Sequence, residues 1–274
     1  MSTTAPTGPA APTGPASTGP ASTARSRMGA LARAETTLLL RGKGTLFAAL
    51  VVPLVLPFSF KNAVDSMDLS GTGLDLGTVL LPTALGLSLL FAVYSTLVST
   101  YVTRREELVL KRLRTGEVRD HEILIGSALP AVVTCLVQWV VVITGFTVVV
   151  HPGAPANPAL AVLGALLGLV VAIGLAALTA TLSRTAETAA VMAMPVILLT
   201  MIGSGVGVPL DVMPDTLAAI ARVLPFTPTL SLLRGGWAGN LDGGDILLAV
   251  VTGLAWAAFA AYGVRRWFRW EPRR

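Results

Sequence analysis

The chain has 274 residues, of which 53% are hydrophobic and 13% charged, with a formal net charge of +5. Water-soluble domains carry about 25% charged residues, so an ordinary soluble fold is excluded. The positive balance does not signal nucleic acid, because it is the sum of cationic flanks around apolar runs.

Residues 1–24 are Met followed only by Ala, Thr, Pro, Ser and Gly, with Thr-Gly-Pro-Ala at 7–10, 13–16 and 18–21. Such a segment buries no apolar surface, so a disordered tail is expected, without the hydrophobic core of a signal peptide. In residues 25–43, Met28, Leu31, Ala34 and Leu38 share one helical face while Arg33 points away. That pattern fits a helix lying in a membrane interface, or a basic linker that only orients the chain.

Six blocks then lack any Asp, Glu, Lys, Arg or His: 44–60, 77–103, 123–150, 159–182, 189–209 and 246–264. Their lengths are 17, 27, 28, 24, 21 and 19 residues, and a helix needs roughly 20 to cross the hydrocarbon. Backbone groups cannot stay unpaired in lipid, and the alternation of barrel strands is missing. The expected fold is therefore an all-α polytopic membrane protein with six transmembrane helices.

The first block contains Pro53 and Pro57, which free backbone carbonyls and kink a helix, shaping a substrate path or merely bending the span. Loop 61–76 is acidic, with Asp65, Asp68 and Asp75. The second block runs without a breaker into Tyr101–Glu122, the one long charged segment between two spans. It holds six basic residues (Arg104, Arg105, Lys111, Arg112, Arg114, Arg119) and five acids (Glu106, Glu107, Glu117, Asp120, Glu122). Val109, Leu110 and Leu113 fall on one helical stripe with Lys111, Arg112 and Arg114 around it. Gly116 reads as a helix stop and Asp120 as the cap of the next helix, so a short amphipathic surface helix is expected here.

The third span carries Gln138 and Trp139 near its middle. A buried amide faces other helices, as packing glue or as a substrate contact. Cys135, the sole cysteine, permits no disulfide within the chain and no cysteine metal site. Gly164 and Gly168 in the fourth span, Gly203 and Gly207 in the fifth, and Gly253, Ala257 and Ala261 in the sixth have spacings that allow close helix approach. Between the last two spans, Pro214 opens a short helix whose Leu217, Ile220, Ala221 and Leu224 form an apolar stripe ending at Pro225. Leu230–Leu233 follows before Arg234. Both pieces are too short to span, so re-entrant or interfacial helices are expected.

Seventeen of the 20 Lys and Arg residues lie on one side of such a six-span chain; only Lys61, Arg222 and Arg234 lie on the other. The bias predicts both termini in the cytoplasm of a cell-membrane protein, with Trp237 in the outer aromatic belt and Trp267 and Trp270 in the inner one.

Catalysis has no visible centre. His121 and His151 are isolated on opposite sides, and no acid or cysteine cluster offers a metal site. Gly42-Lys43 is the nearest approach to a phosphate-binding loop, but Thr37 replaces its first Gly and Gly44 its Ser/Thr, so no nucleotide or other cofactor is expected on this chain. The spans also lack the buried ionisable residues of many ion-coupled carriers. Energy for uphill transport would then enter from outside, through a cytosolic ATPase. A carrier or channel working without ATP, and a non-transporting scaffold, remain the other readings.

The segment Arg104–Val118 (Arg-Arg-Glu-Glu-Leu-Val-Leu-Lys-Arg-Leu-Arg-Thr-Gly-Glu-Val) resembles the cytosolic signature of type-2 ABC exporter permeases: an acid, a Leu/Lys/Arg helix and a tight turn. In many members Gly follows the acid and Pro ends the helix, positions held here by Leu108 and Gly116. Met213-Pro214, Leu217, Ile220-Ala221, Leu224-Pro225 and Thr227-Pro228 are similar to a second motif before the last span. The resemblance runs over roughly residues 25–268. It implies a permease working as a homo- or heterodimer among membrane lipids, with a cytosolic ABC ATPase subunit that holds ATP and Mg. It further implies that 104–118 is the coupling helix, with Glu106, Glu107, Lys111, Arg112 and Arg114 meeting the ATPase and Val109, Leu110 and Leu113 packing on the bundle. The path is expected between two permeases, lined from spans one, two and five, with Gly203–Gly207 as a flexible point. The nearest flavour is drug and antibiotic export.

The topology is tested by cysteine labelling in a Cys135→Ala background. A cysteine at Glu117 should resist a membrane-impermeant maleimide until the membrane is opened, whereas one at Asp68 should react in intact cells; the reverse pattern inverts the topology.

Overall fold

A computed structural model of the chain describes residues 76–114, 119–149, 153–204 and 214–268. The tail 1–24, the expected helix 25–43, the first expected span with Pro53 and Pro57, Gly116, Gly207 and the tail 269–274 lie outside them. The described residues form helices and no strands, as apolar runs must when no solvent is available to pair their backbones. In order they are α1 (Leu76–Ser88), a π-helical segment (Leu89–Ser95), α2 (Thr96–Glu106), α3 (Val109–Arg114), α4 (Asp120–Val149) and α5 (Pro158–Leu182). Then come α6 (Ala186–Gly203), α7 (Asp215–Arg222), α8 (Thr227–Ala238) and α9 (Gly243–Trp267).

Five helical stretches among the described residues are long and apolar enough to cross a membrane: Gly77–Glu106, Asp120–Val148, Pro158–Leu182, Ala186–Gly203 and Gly243–Trp267. They coincide with the second to sixth expected spans. The pair α7 and α8, bent by 105°, would add a sixth if counted as one broken crossing.

The helix ends follow local capping chemistry. Asn157 accepts the Leu160 amide ahead of Pro158, which needs no donor in the first turn. Thr185 and Thr188 exchange side-chain and backbone hydrogen bonds at the start of α6, and Asp242 caps α9. Gly239, at φ 71°, closes α8 in the left-handed conformation that a glycine adopts without a steric cost. One expectation is corrected. Asp120 is not the cap of α4 but its first helical residue; Arg119 stands at the cap, and the Glu122 carboxylate reaches back to its amide at 3.1 Å. Three residues separate that pair, the spacing of half a capping box.

The continuous stretch α1–π–α2 is the centre of the bundle. Ninety-four per cent of its apolar window lies inside the protein, against 22% for α6 and for α9, so it is walled by this chain's own helices. The helix α8 inserts beside α5. A side chain placed on Gly164 would meet Leu232 Cβ at 2.8 Å, and one on Gly236 would meet the Ala161 amide nitrogen at 2.7 Å. Backbones come this near only where the Cβ is missing. Because Thr229 meets Gly168 and Gly236 meets Ala161, α8 starts about 15 Å deep along α5 and climbs out antiparallel to it, at 1.5 Å of rise per residue. That is the course of a re-entrant loop or of the second half of a broken crossing.

The apolar stripe expected on α7 is split between inside and outside. Leu217 and Ile220 face outward while Ala218 and Ala221 are buried. Lipid accepts the large side chains as readily as a protein core does, so small residues take the tight side. Val140, Val148, Ile202 and Leu247 are likewise turned outward.

Gly236→Leu should destabilise the bundle by about 1–3 kcal/mol or more through forced separation of α5 and α8. Gly145→Ala, where no described residue lies within 4 Å, should leave the thermal midpoint in detergent unchanged or slightly raised.

Candidate functional site

The central helix ends in four charged residues, and the structure divides them. Arg104 is buried, with Nη1 donating to Ser127 Oγ on α4 at 3.2 Å. Arg105 is 1% exposed. Its Nη1 donates to the Ala180 carbonyl at 2.9 Å and its Nη2 to the Ser183 carbonyl. These oxygens belong to the last turn and C-cap of α5, which has no basic residue in its own last turn. Helix C-termini leave four carbonyls unpaired and carry a partial negative charge, so a guanidinium fork suits them. Glu106 does the converse: Oε2 accepts the Ala186 amide at 3.3 Å in the first turn of α6, at the positive end of that helix.

Beyond this clamp the chain turns sharply. The Glu107 amide donates to the Thr103 carbonyl at 2.9 Å and the Leu108 amide to Arg105 at 3.2 Å. Leu108 has φ 58°, the only positive value at a non-glycine among the described residues. A left-handed conformation costs a branched-chain residue roughly 1–2 kcal/mol. This is the position where many proteins of the resembled family carry Gly, and the turn supplies the reason. The helix α3 follows and packs on α2 and α4.

Within the expected coupling helix, Leu110 is fully buried and Val109 half-buried, while Glu106, Glu107 and Arg112 are exposed. Lys111, Leu113 and Arg114 lie on α3, but their side chains fall outside the description. The remaining site residues sit away from this elbow. Gln138 is fully buried within the bundle beside Trp139, whose indole donates to the Leu85 carbonyl at 3.0 Å, one turn before the π-helical segment. Gly203 ends α6, and a side chain there would overlap Leu224, so it is a packing contact between α6 and the bent pair α7–α8. The second span, enclosed as it is, has little wall to offer a path between two copies.

The π-helical segment and the Arg105–Glu106 clamp were not foreseen. In the first, Tyr94 Oη and Thr179 Oγ1 lie 3.1 Å apart, and Tyr94 packs edge-on to Phe226. A widened turn of this kind has no sequence pattern of its own. The clamp has no local signal either: α5 carries no cation in its last turn, but nothing in its own sequence says that Arg105 meets it. At the opposite end, Arg222, Thr227, Ser231, Arg234, Asn240 and Asp245 line a cavity of about 100 Å³, below the roughly 300 Å³ of a small-molecule site. Among the described residues no group of three or more His, Cys, Asp or Glu is placed to hold a metal ion.

Residues 26–237, more than half of the chain, match the family described as ABC-2 type transporter. No curated protein matches the chain.

Leu108→Gly should leave thermal stability equal to the parent or up to about 1 kcal/mol higher, the removed strain being partly offset by glycine's larger unfolded-state entropy. Leu108→Ile should lower it by at least about 1 kcal/mol. Detergent melting curves of both variants check the order.

Proposed function

Because the chain belongs to the ABC-2 type transporter family and is thereby a multi-pass membrane permease of an ABC transporter, we propose that it is the transport subunit of an ATP-driven exporter. Its cargo in this reading is an amphiphilic small molecule, drug- or antibiotic-like, or a lipid. ATP and Mg belong to a separate cytosolic ATPase, and two permease copies, identical or related, enclose the path. Both termini lie in the cytoplasm.

The observation that carries the reading is the elbow formed by α2, Leu108 and α3. It continues the most enclosed helix of the bundle, and it presents Glu107 and Arg112 to solvent while burying Leu110. A push on such an element is delivered to the core of the permease rather than to a loose loop. Glu106, Glu107, Lys111, Arg112 and Arg114 are assigned to the ATPase contact, and Val109, Leu110 and Leu113 to seating α3. The outward face of α6, with Val191, Leu198 and Ile202, is the described wall best suited to an apolar path. It would be joined there by the first span with Pro53 and Pro57, and Gly203 and Gly207 would form the bend at its end.

The test is purification of the tagged full chain with its ATPase, followed by reconstitution in liposomes. Stoichiometric co-purification is expected, weakened at least about tenfold (about 1.4 kcal/mol) by charge reversal at Arg112 and Arg114. Export should require ATP. Flux that survives ATP depletion but collapses with an uncoupler would mean a carrier, and a stable partner without flux would mean a scaffold.

A further inference from the structure

We infer that Arg105 and Glu106 are positioning residues that make the α5–α6 turn a rigid part of the coupling elbow, so that displacement of α3 moves the start of α6 with it. The inference rests on the permease reading for what the movement is used for, and on the geometry alone for the clamp.

Three observations converge. First, adjacent residues of opposite charge engage opposite helix ends across one turn. Arg105 holds the Ala180 and Ser183 carbonyls at the end of α5, and Glu106 holds the Ala186 amide at the start of α6. Residues 183–185 are thus gripped from both sides by a single point of α2. The turn is stiff in itself: the Arg184 and Thr185 amides donate to Thr188 Oγ1 at 3.1 and 2.9 Å, and the Thr188 amide donates to Thr185 Oγ1 at 3.2 Å.

Second, only Glu107 and Leu108 separate the clamp from α3. Both are tied back by backbone hydrogen bonds to Thr103 and Arg105. So short a link cannot absorb a displacement of several ångströms, which must pass into the clamp.

Third, among the described residues α6 turns only a narrow face inward, packed chiefly on α2. Only 22% of its apolar window is inside the protein; its far end leans on Leu224 at Gly203. A span packed chiefly on α2 is therefore also tied to it by the clamp where the coupling segment emerges. Its lower end moves with the elbow, and its outward apolar face changes tilt accordingly. Arg105 is 1% exposed, so its role cannot be direct contact with a cytosolic partner.

Hydrogen exchange read by mass spectrometry, on the full chain in lipid nanodiscs, tests the clamp without nucleotide or partner. The segment 183–190 should exchange at least about tenfold faster in Arg105→Gln and in Glu106→Gln than in the parent. Arg105→Lys, which keeps the charge but not the fork, should fall between. In the complex with the ATPase, the Arg105→Gln variant should still co-purify and hydrolyse ATP, while transport per ATP drops at least about tenfold. Glu106→Gln guards against simple misfolding, since its side chain is exposed. Unchanged exchange at 183–190 in both variants overturns the clamp. Flux and hydrolysis falling in proportion, with transport per ATP intact, overturns its part in coupling. If the parent complex shows no ATP-dependent flux at all, the permease reading fails and the coupling role with it, whereas the clamp still stands or falls on the exchange result.

Discussion

A guanidinium held out of water at the margin of an apolar bundle is tolerated only where oxygen acceptors surround it. Arg105 meets that requirement with the last carbonyls of α5, and the solution organises the basic end of the molecule. Successive helical residues point roughly 100° apart, so three neighbours on α2 fan out to three different helices. Arg104 reaches α4 through Ser127, Arg105 reaches α5, and Glu106 reaches α6. One turn of helix thereby fixes the relative positions of three others at a single level. Ion pairs on an exposed surface could not do this, being worth little in water; the Arg222–Asp245 pair at 3.9 Å, with both side chains about half exposed, is of that weaker kind.

Deeper in the bundle the constraint is different. Lipid tails are as apolar as leucine, so burying apolar area does not draw helices together there. What remains is close approach and polar pairing, and both occur. The glycines of α5 and α8 bring those backbones together, and Trp139, Tyr94 and Thr227 tie helix to helix through single hydrogen bonds. Trp256 fastens α9 to the bent pair α7–α8 by donating to the Val223 carbonyl at 2.8 Å. The π-helical segment belongs to the same economy. The widened turn brings Tyr94 to Thr179 and Phe226 together, linking the central helix to α5 and to the bent pair α7–α8 near mid-span.

The result is a stiff stem inside a less constrained surround. The stem runs from α1 through the π segment to α2 and carries α3 beyond the turn at Leu108. Around it, α6 and α9 expose most of their apolar surface. A permease driven from one end needs that contrast: a part that transmits displacement and a part that yields to it. The strained turn at Leu108 sits at their junction, and it sets the angle at which α3 leaves the bundle.

Much of this was legible in the chain of letters. For the five described spans, charge-free runs of 19 to 28 residues, a minimum length for crossing and the need to pair every backbone group determine where the helices lie, because each condition is local and one-dimensional. The same holds for the surface helix after the second span and for the short pieces after Pro214. Asp120 was misjudged by one position because Arg119 and Asp120 are both compatible with a helix start until Glu122 is seen to reach back. Only the tertiary structure decided which charges of one continuous row are buried. Arg105 and Arg112 are the same residue type seven positions apart, yet one caps a helix and the other meets water. That choice depends on where the ends of α5 and α6 come to rest, some 75 to 80 residues further along the chain, and no local pattern records it.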